Sequence, residues 1–300
     1  MTTTPPCLHC GQPTSLMFKA KDENRRLSDE AFSYYRCRRC AFIFLSPVPT
    51  DLGRYYPAQY YEVPRSEAEL TARAELLQQW KIDEVLRHAK GGRLLEIGPA
   101  YGLFAHLAKR AGFDVTAIEM DSRCSAFLRE TVGIRVVESA DTVARLSELP
   151  PFDVIVMWQV IEHLPDPWAV LSAASECLAP NGVLIVDTPN PDAFQFRVLG
   201  RHWAHVDAPR HVALIPAKLL VDHLGRAGLR PELLTAADAS ANGFNGFGWA
   251  FSFKNFFSHA GVGAVAHFLG RVLAKLLIPI ERTGWRGSTY TAVFRKQGAL

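Results

Sequence analysis

The chain has 300 residues, 48% of them hydrophobic, and 33 Lys/Arg against 30 Asp/Glu for a net charge of +3, which excludes a disordered chain and one that holds polyanions by bulk charge. The N-terminus, MTTTPPCLHC, carries no apolar signal stretch, so six cysteines indicate a reducing, cytoplasmic compartment and argue against a disulfide framework. No window of 18 uncharged apolar residues occurs, and no membrane span is expected.

Cys7-x2-Cys10 and Cys37-x2-Cys40 frame residues 1–50 with a 26-residue spacer. Two such turns bring four thiolates to the corners of a tetrahedron, the geometry structural Zn2+ prefers, and four protein ligands leave no open position for catalysis. The spacer holds a strand-like run, Ala31–Arg36. The segment has seven Lys/Arg and four Asp/Glu. A zinc bound to four thiolates adds two negative charges, which leaves a poor phosphate footprint, so nucleic acid is not the expected partner. The expected role is packing on the rest of the chain or shaping a substrate mouth.

Phe42–Leu45 is a strand candidate closed by Ser46-Pro47-Val48-Pro49. Tyr55, Tyr56, Tyr60 and Tyr61 follow in pairs; stacked tyrosines with polar tips suit a half-buried wall or a pocket. Glu67–Ala89 has helical spacing of Leu70, Ala74, Leu77, Ile82, Val85 and Leu86.

The stretch Arg93–Asp121 reads strand, glycine turn, helix, strand, acid. Arg93–Ile97 is apolar apart from Glu96; Gly98-Pro99-Ala100-Tyr101-Gly102 makes the turn; Leu103, Phe104, Leu107, Ala108 and Ala111 give a helix ended by Gly112. Val115–Ile118 is the next strand, and Glu119 stands at its tip, 21 residues after Gly98. Glycines let backbone approach a ligand closely, and an acid at that distance suits the hydroxyls of a ribose. A carboxylate at Glu96 would repel a diphosphate but attract an ammonium or a sulfonium, which favours S-adenosylmethionine (SAM) over a dinucleotide.

This stretch resembles motif I of the class I SAM-dependent methyltransferases, E/D-x-G-x-G-x-G, with Gly98 and Gly102 at the outer glycines and Ala100 replacing the middle one. The P-x-P followed by paired tyrosines is similar to methyltransferases that carry an N-terminal zinc ribbon. The resemblance implies an α/β, Rossmann-like seven-stranded sheet of order 3-2-1-4-5-7-6 with a small ribbon domain. It implies cofactor contacts from Glu96, Gly98, Ala100, Gly102, Glu119 and Met120, with Ser139 and Ala140 near the adenine. Asp141 is either a further contact or a helix N-cap.

After Glu119 a helix is expected to Glu130, then a strand Ile134–Val137. Phe152–Met157 is a buried strand, followed by Trp158, Gln159, Val160, Ile161, Glu162 and His163, similar to the family's xxVxEHxxDP segment. Strand ends line the ligand crevice of open α/β sheets, which places Trp158 and Gln159 at the cofactor and His163 beside the methyl, as base or orienter. Leu171, Ala174, Cys177 and Leu178 form a helix stripe, Pro180-Asn181-Gly182 a turn, and Val183–Val186 the fifth strand. Cys124 and Cys177 are expected in the core.

Residues 201–211 form a loop rich in titratable groups, expected over the crevice mouth, with His205 and His211 as alternative bases. A helix Pro216–Ala227 and strands Leu229–Thr235 and Ser288–Phe294 follow. The insertion 241–287 between those strands is expected to hang over the active site. From 241 to 300 there are seven Lys/Arg and one Glu, and Val265, Phe268, Leu269, Val272, Leu276 and Ile280 share a helical face with His267, Arg271 and Lys275 recurring every fourth residue. Basic residues beside apolar ones suit an anionic membrane surface, a lipid-linked substrate or an oligomer interface.

The expected divisions are 1–50 ribbon, 51–92 bridge, 93–240 SAM-binding core, 241–287 basic insertion and 288–300 last strand. The expected activity is methyl transfer to a small molecule, a saccharide or a lipid-linked intermediate in the cytoplasm, with peripheral membrane contact through 241–287. An RNA-modifying enzyme clamping RNA through Arg38 and Arg39, and a SAM-binding protein without turnover, are the rival readings.

Overall fold

The computed structural model describes residues 4–57, 60–257 and 261–298. Two sheets organise it. The first begins with three strands near the N-terminus, β1 (Thr14–Ala20), β2 (Phe32–Cys37) and β3 (Ile43–Leu45), in antiparallel order. The second contains β4 (Arg93–Ile97), β5 (Asp114–Glu119), β6 (Arg135–Glu138), β7 (Phe152–Trp158), β8 (Leu178–Pro189), β10 (Leu229–Thr235) and β11 (Thr289–Lys296). The two-residue β9 (Ala213–Leu214) leaves the order of the chain to pair with β3, so the ribbon sheet is completed by a segment more than 160 residues away.

The large sheet runs β6-β5-β4-β7-β8-β11-β10. Counted from β4 this is 3-2-1-4-5-7-6, the expected order; whole-chain labels differ because the ribbon strands and β9 intervene. β4, β5, β6, β7 and β8 are parallel, whereas β11 is antiparallel to both β8 and β10.

Alternate side chains along each strand enter opposite layers, as the period of two requires. Leu94, Val154, Val156, Val183 and Ile185 pack with α1 (Glu67–His88), α2 (Leu103–Arg110) and the end of α3 (Ser122–Phe127). Leu95, Ile155, Met157, Leu184 and Val186 face α4 (Thr142–Glu148), α5 (Pro167–Glu176) and α7 (Ala217–Arg226). Cys7, Cys37, Phe42 and Phe44 join that second layer, so ribbon and sheet share one core. Cys124 and Cys177 are both buried, as expected.

Local signals explain the boundaries. Ser66 accepts from Glu69 N and starts α1, and Asp166 before Pro167 caps α5. Helix α3 ends earlier than expected, continuing as a π turn over Leu128–Val132 stopped by Gly133 at φ 68°. Pro180-Asn181-Gly182 is not a turn between elements. β8 runs from Leu178 through it, with Asn181 at φ 62° and a register shift in the pairing to β7, so the break is absorbed as a bulge.

Residues 201–211 also differ from expectation. They follow α6 (Phe194–Leu199) and, from Trp203 on, lie largely buried between the ribbon and α8 (Ala239–Phe257), not over the crevice mouth. Arg210 and Asp22 are both fully buried, with Arg210 Nη2 2.7 Å from Asp22 Oδ1 and 2.7 Å from Asp207 Oδ1. That ionic clamp joins the ribbon to the core. The insertion is two helices, α8 and α9 (Gly263–Glu281), and it packs on β11 and residues 204–206.

Candidate functional site

A crevice of about 550 Å³ opens at the C-terminal ends of β4 and β7. Glu96, Gly98, Ala100, Trp158, Gln159 and His163 all line it. Among the described residues none of α8 or α9 lines it, so these two helices do not form the wall over the opening that the sequence led us to expect.

The glycine turn is built for close approach. Gly98 has φ 70°, and a Cβ there would meet Val160 Cγ2 at 2.9 Å. Gly102, at φ 78°, starts α2, and a Cβ there would clash with Leu128 Cδ2. Ala100 adopts φ 52°, so it keeps the left-handed backbone that a middle glycine would supply, at a steric cost of about 1–2 kcal/mol. Gly98 N donates to Ile118 O at 2.9 Å, tying the turn to β5.

Glu96 is 3% exposed, and its Oε2 has no hydrogen-bond partner among the described residues. Burial pushes its carboxyl up to about 8 against the opposing charge of Lys81. A buried, crevice-lining carboxyl with an unpaired oxygen beside a bare backbone turn fits the ammonium of a SAM-like ligand. Glu119 is spent differently. Its Oε2 accepts from Ala100 N at 3.0 Å, and its Oε1 from Met120 N and Asp121 N at 2.8 Å each. It closes the strand tip onto the turn. Met120 is 71% exposed. Ser139 N donates to Glu119 O at 3.0 Å, which sets Ser139 and the exposed Ala140 beside that tip. Asp141 accepts from Ala144 N at 3.0 Å and is the N-cap of α4.

Trp158 ends β7 with its Nε1 buried and unpartnered among the described residues. Gln159 follows at φ 56°, its amide nitrogen donating to Asp187, whose carboxyl burial pushes up to about 6. Asp187 is also held by Ser240 Oγ and Thr291 Oγ1 at 2.9 Å.

His163 occupies a 3-10 turn, Ile161–His163, just past β7. Its Nδ1 lies 3.1 Å from the Arg210 carbonyl and 3.0 Å from Tyr56 Oη. A carbonyl only accepts, so Nδ1 carries the proton and Nε2 keeps a lone pair. Burial lowers the imidazole from its usual range, which keeps it neutral. His211 packs edge-on against His163 with centroids 4.6 Å apart, and its Nδ1 donates to His205 O at 2.8 Å. His205 stands outside the crevice. Its Nε2 donates to Phe244 O at 3.2 Å between Trp203 and Phe247, and burial pushes it down to about 4. Its hydrogen bond is structural, joining 201–211 to α8.

Tyr60 and Tyr61, expected from the sequence as a wall or a pocket, form one wall of the crevice. Other lining residues escaped the sequence reading. Arg25 of the ribbon sits over the Tyr60 ring at 4.3 Å, so the ribbon does shape the mouth. Lys81 reaches the crevice from α1, its Nζ 5.2 Å from the Trp158 ring; its only signal was a lysine between Trp80 and Ile82.

Cys7, Cys10, Cys37 and Cys40 converge, with Sγ–Sγ separations of 3.6 Å for Cys7–Cys40 and Cys10–Cys37 and 3.7 Å for Cys10–Cys40. A tetrahedron with metal–sulfur bonds of about 2.3 Å has edges of about 3.8 Å, so these four could hold zinc. Backbone N–H groups of Arg39 and Cys40 point at Cys37 Sγ. A second cleft of about 1160 Å³ lies between the ribbon and α6 and α7, and none of the expected cofactor residues lines it.

The sheet order, the glycine turn and the crevice together define a class I SAM-dependent methyltransferase. Residues 69–234, more than half the chain, match the family described as "Methyltransferase domain". A "Ubiquinone biosynthesis O-methyltransferase" of Cereibacter sphaeroides is 30% identical over 178 residues, 55% of this chain and 69% of that protein. One of the same name from Bordetella avium is 28% identical over 181 residues, 56% and 75% of the two chains. In fold the chain is similar to a SAM-dependent methyltransferase from Archaeoglobus fulgidus, with TM-score 0.51, 18% identity and coverage of 74% of this chain and 94% of that one. A putative sarcosine dimethylglycine methyltransferase from Galdieria sulphuraria gives TM-score 0.50 at 14% identity over 78% and 87%. The chain belongs to the methyltransferase family and is a SAM-dependent methyltransferase.

Proposed function

We propose that the chain transfers the methyl group of SAM to a small, lipid-linked biosynthetic intermediate at a membrane surface, with zinc in the Cys7, Cys10, Cys37 and Cys40 cluster as a structural ion. The observation that carries the cofactor part is Glu96, buried at the crevice with an unpaired oxygen. SAM, when bound, supplies a methyl group already activated by a sulfonium. Glu96 would hold the ammonium, Gly98, Ala100 and Gly102 the close-approach turn, and Glu119 with Met120 the ribose edge. Ser139 and Ala140 would flank the adenine, and Trp158 and Gln159 would cover the reacting end. What remains for the protein is alignment of the acceptor, worth several powers of ten in rate. His163 lines this space and would accept the acceptor's proton, while His211 supports its ring.

The lipid-linked choice rests on α9. Its small residues Ala266, Gly270 and Ala274 are buried, whereas Val265, Phe268 and Leu276 are 59%, 65% and 70% exposed. Gly270 lies against α8 so closely that a Cβ would meet Trp249 O at 2.6 Å. Small residues inward and bulky apolar ones outward is the inverse of a water-soluble helix and suits an apolar phase. Lys254, Arg271 and Lys275 are exposed on this hairpin with no acidic partner among the described residues, which favours anionic headgroups. Among the described residues α9 is also the one helix long and apolar enough to cross a membrane. The relatives' printed role in ubiquinone biosynthesis fits an apolar acceptor. We assign the ribbon to 1–50, the bridge to 51–92, the core to 93–240, the insertion to 241–287 and the closing strand to 288–300.

The test has two arms. Calorimetry should give one SAM per chain, weakened at least tenfold by Glu119→Ala; no binding removes the enzyme reading. Pelleting with anionic vesicles at low salt should carry the protein down, and Phe268→Glu with Leu276→Glu should release it. No pelleting removes the membrane and lipid parts and leaves a water-soluble acceptor. Binding of SAM without transfer to any lipid or saccharide extract would favour a non-catalytic binder, and transfer to RNA lost with Arg38→Ala and Arg39→Ala would favour an RNA enzyme.

A further inference from the structure

The group behind the crevice holds more than a base. One potential ligand atom from each of Glu162, His163 and His211 lies within 4.8 Å of the other two. Glu162 is fully buried; its Oε2 accepts from Thr188 Oγ1 at 2.9 Å, and its Oε1 has no partner among the described residues. Both imidazoles have Nδ1 against a backbone carbonyl, Arg210 O at 3.1 Å for His163 and His205 O at 2.8 Å for His211. Each Nε2 therefore keeps its lone pair, and the two rings meet at 4.6 Å with no proton to share between them. The nearest other acid is Asp207, whose Oδ2 lies 3.9 Å from His211 Nε2. Of the atoms that converge here, Glu162 Oε1 is buried without a partner, and a buried carboxyl oxygen left unsatisfied is unfavourable as it stands. A carbonyl on the far nitrogen is the usual way to fix the tautomer and aim of a metal-ligating histidine.

We propose that Glu162, His163 and His211 bind one divalent transition-metal ion, of the Mn2+, Fe2+, Co2+ or Zn2+ class, separate from the four-thiolate cluster. Two imidazoles and a carboxylate are a borderline donor set that excludes the soft monovalent ions. Three protein ligands leave positions open, and His163 lines the crevice, so an open position faces the acceptor. On the methyltransferase reading above, this makes the acceptor a hydroxyl. Bound to the cation, its O–H loses the proton to solvent water, since both histidine lone pairs are engaged by the metal. The oxygen then forms the new O–C bond as the S–C bond breaks, and the sulfonium leaves as a neutral thioether. The cation in this scheme replaces His163 as the group that lowers the acceptor's pKa.

The experiment titrates the full chain, zinc-loaded at its thiolates, with Mn2+ and follows the free-ion signal by electron paramagnetic resonance. Thiolates hold Mn2+ poorly, so the ribbon stays silent. One equivalent of Mn2+ should bind per chain, and Glu162→Gln and His211→Ala should each weaken it at least tenfold. SAM binding within twofold of the parent protein certifies that a variant is folded. Wild-type protein that binds no equivalent overturns the proposal, as does equal Mn2+ affinity in a folded variant. Loss of SAM binding in the wild type would sink the methyltransferase reading and leave the metal result standing.

Discussion

Replacing Glu96 with glutamine separates what burial and charge each do at the cofactor crevice. Burial pushes the Glu96 carboxyl up to about 8, with Lys81 pulling it down and Glu119 pushing it further up. At pH 7 such a group is about one-tenth ionised, so presenting a full carboxylate to a bound ammonium costs about 1.4 kcal/mol. That cost vanishes by about pH 9, where a charge-assisted hydrogen bond of about 1.5–3 kcal/mol is fully expressed. The SAM affinity of the parent relative to Glu96→Gln, in which the ligand's own amine titrates equally, should therefore rise about tenfold from pH 7 to 9. Calorimetry in two buffers of different ionisation heat should show about 0.9 proton released per SAM at pH 7. Glu96→Gln, titrated in parallel, carries any proton lost by the ligand's own amine, so the difference belongs to Glu96. The ligand-free protein should show the matching stability slope. A carboxyl raised in the folded state contributes stability that is full below its unfolded value of 4.5 and is lost as pH rises through about 8. Relative to Glu96→Gln, the parent should lose at most about 5 kcal/mol across that window. Identical pH profiles for affinity and melting in the two proteins would refute the reasoning.

Asp22→Ala removes one of the two carboxylates on the fully buried Arg210 and leaves it to Asp207 alone, so about 1.5–3 kcal/mol of stability should disappear in thermal melts. The same clamp sets an acid limit. Burial raises Asp207, but its hydrogen bonds to Arg210 outweigh that and hold it well below the usual carboxylate range, so its contribution is present above about pH 4 and lost only in stronger acid. Ala100→Gly should stabilise by about 1 kcal/mol by relieving its φ of 52°, whereas Gly102→Ala should cost about 1–3 kcal/mol against Leu128; denaturant midpoints read both. A thiol-directed reagent should release one zinc per chain and lower the melting temperature; a chain that releases none would rule out a zinc-filled ribbon.

Much of the sheet could be read along the chain because parallel strands buried on both faces are continuous apolar runs, and Val154–Met157 and Val183–Val186 are such runs. The glycine turn, its flanking acids and the paired cysteines were equally visible, since each depends on backbone freedom or ligand type within a few residues. Tertiary structure decided the rest. Only folding brings β9 to β3, seats Arg210 against Asp22, and swings Arg25 of the ribbon over Tyr60. The three histidines show the limit most clearly. His163, His205 and His211 look alike as residues near a strand end, yet His163 faces the crevice, His211 stands behind it and His205 is tied to α8. Which nitrogen of an imidazole is free depends on the carbonyl that meets the other one, and those carbonyls arrive from parts of the chain that are neighbours only after the sheet has closed.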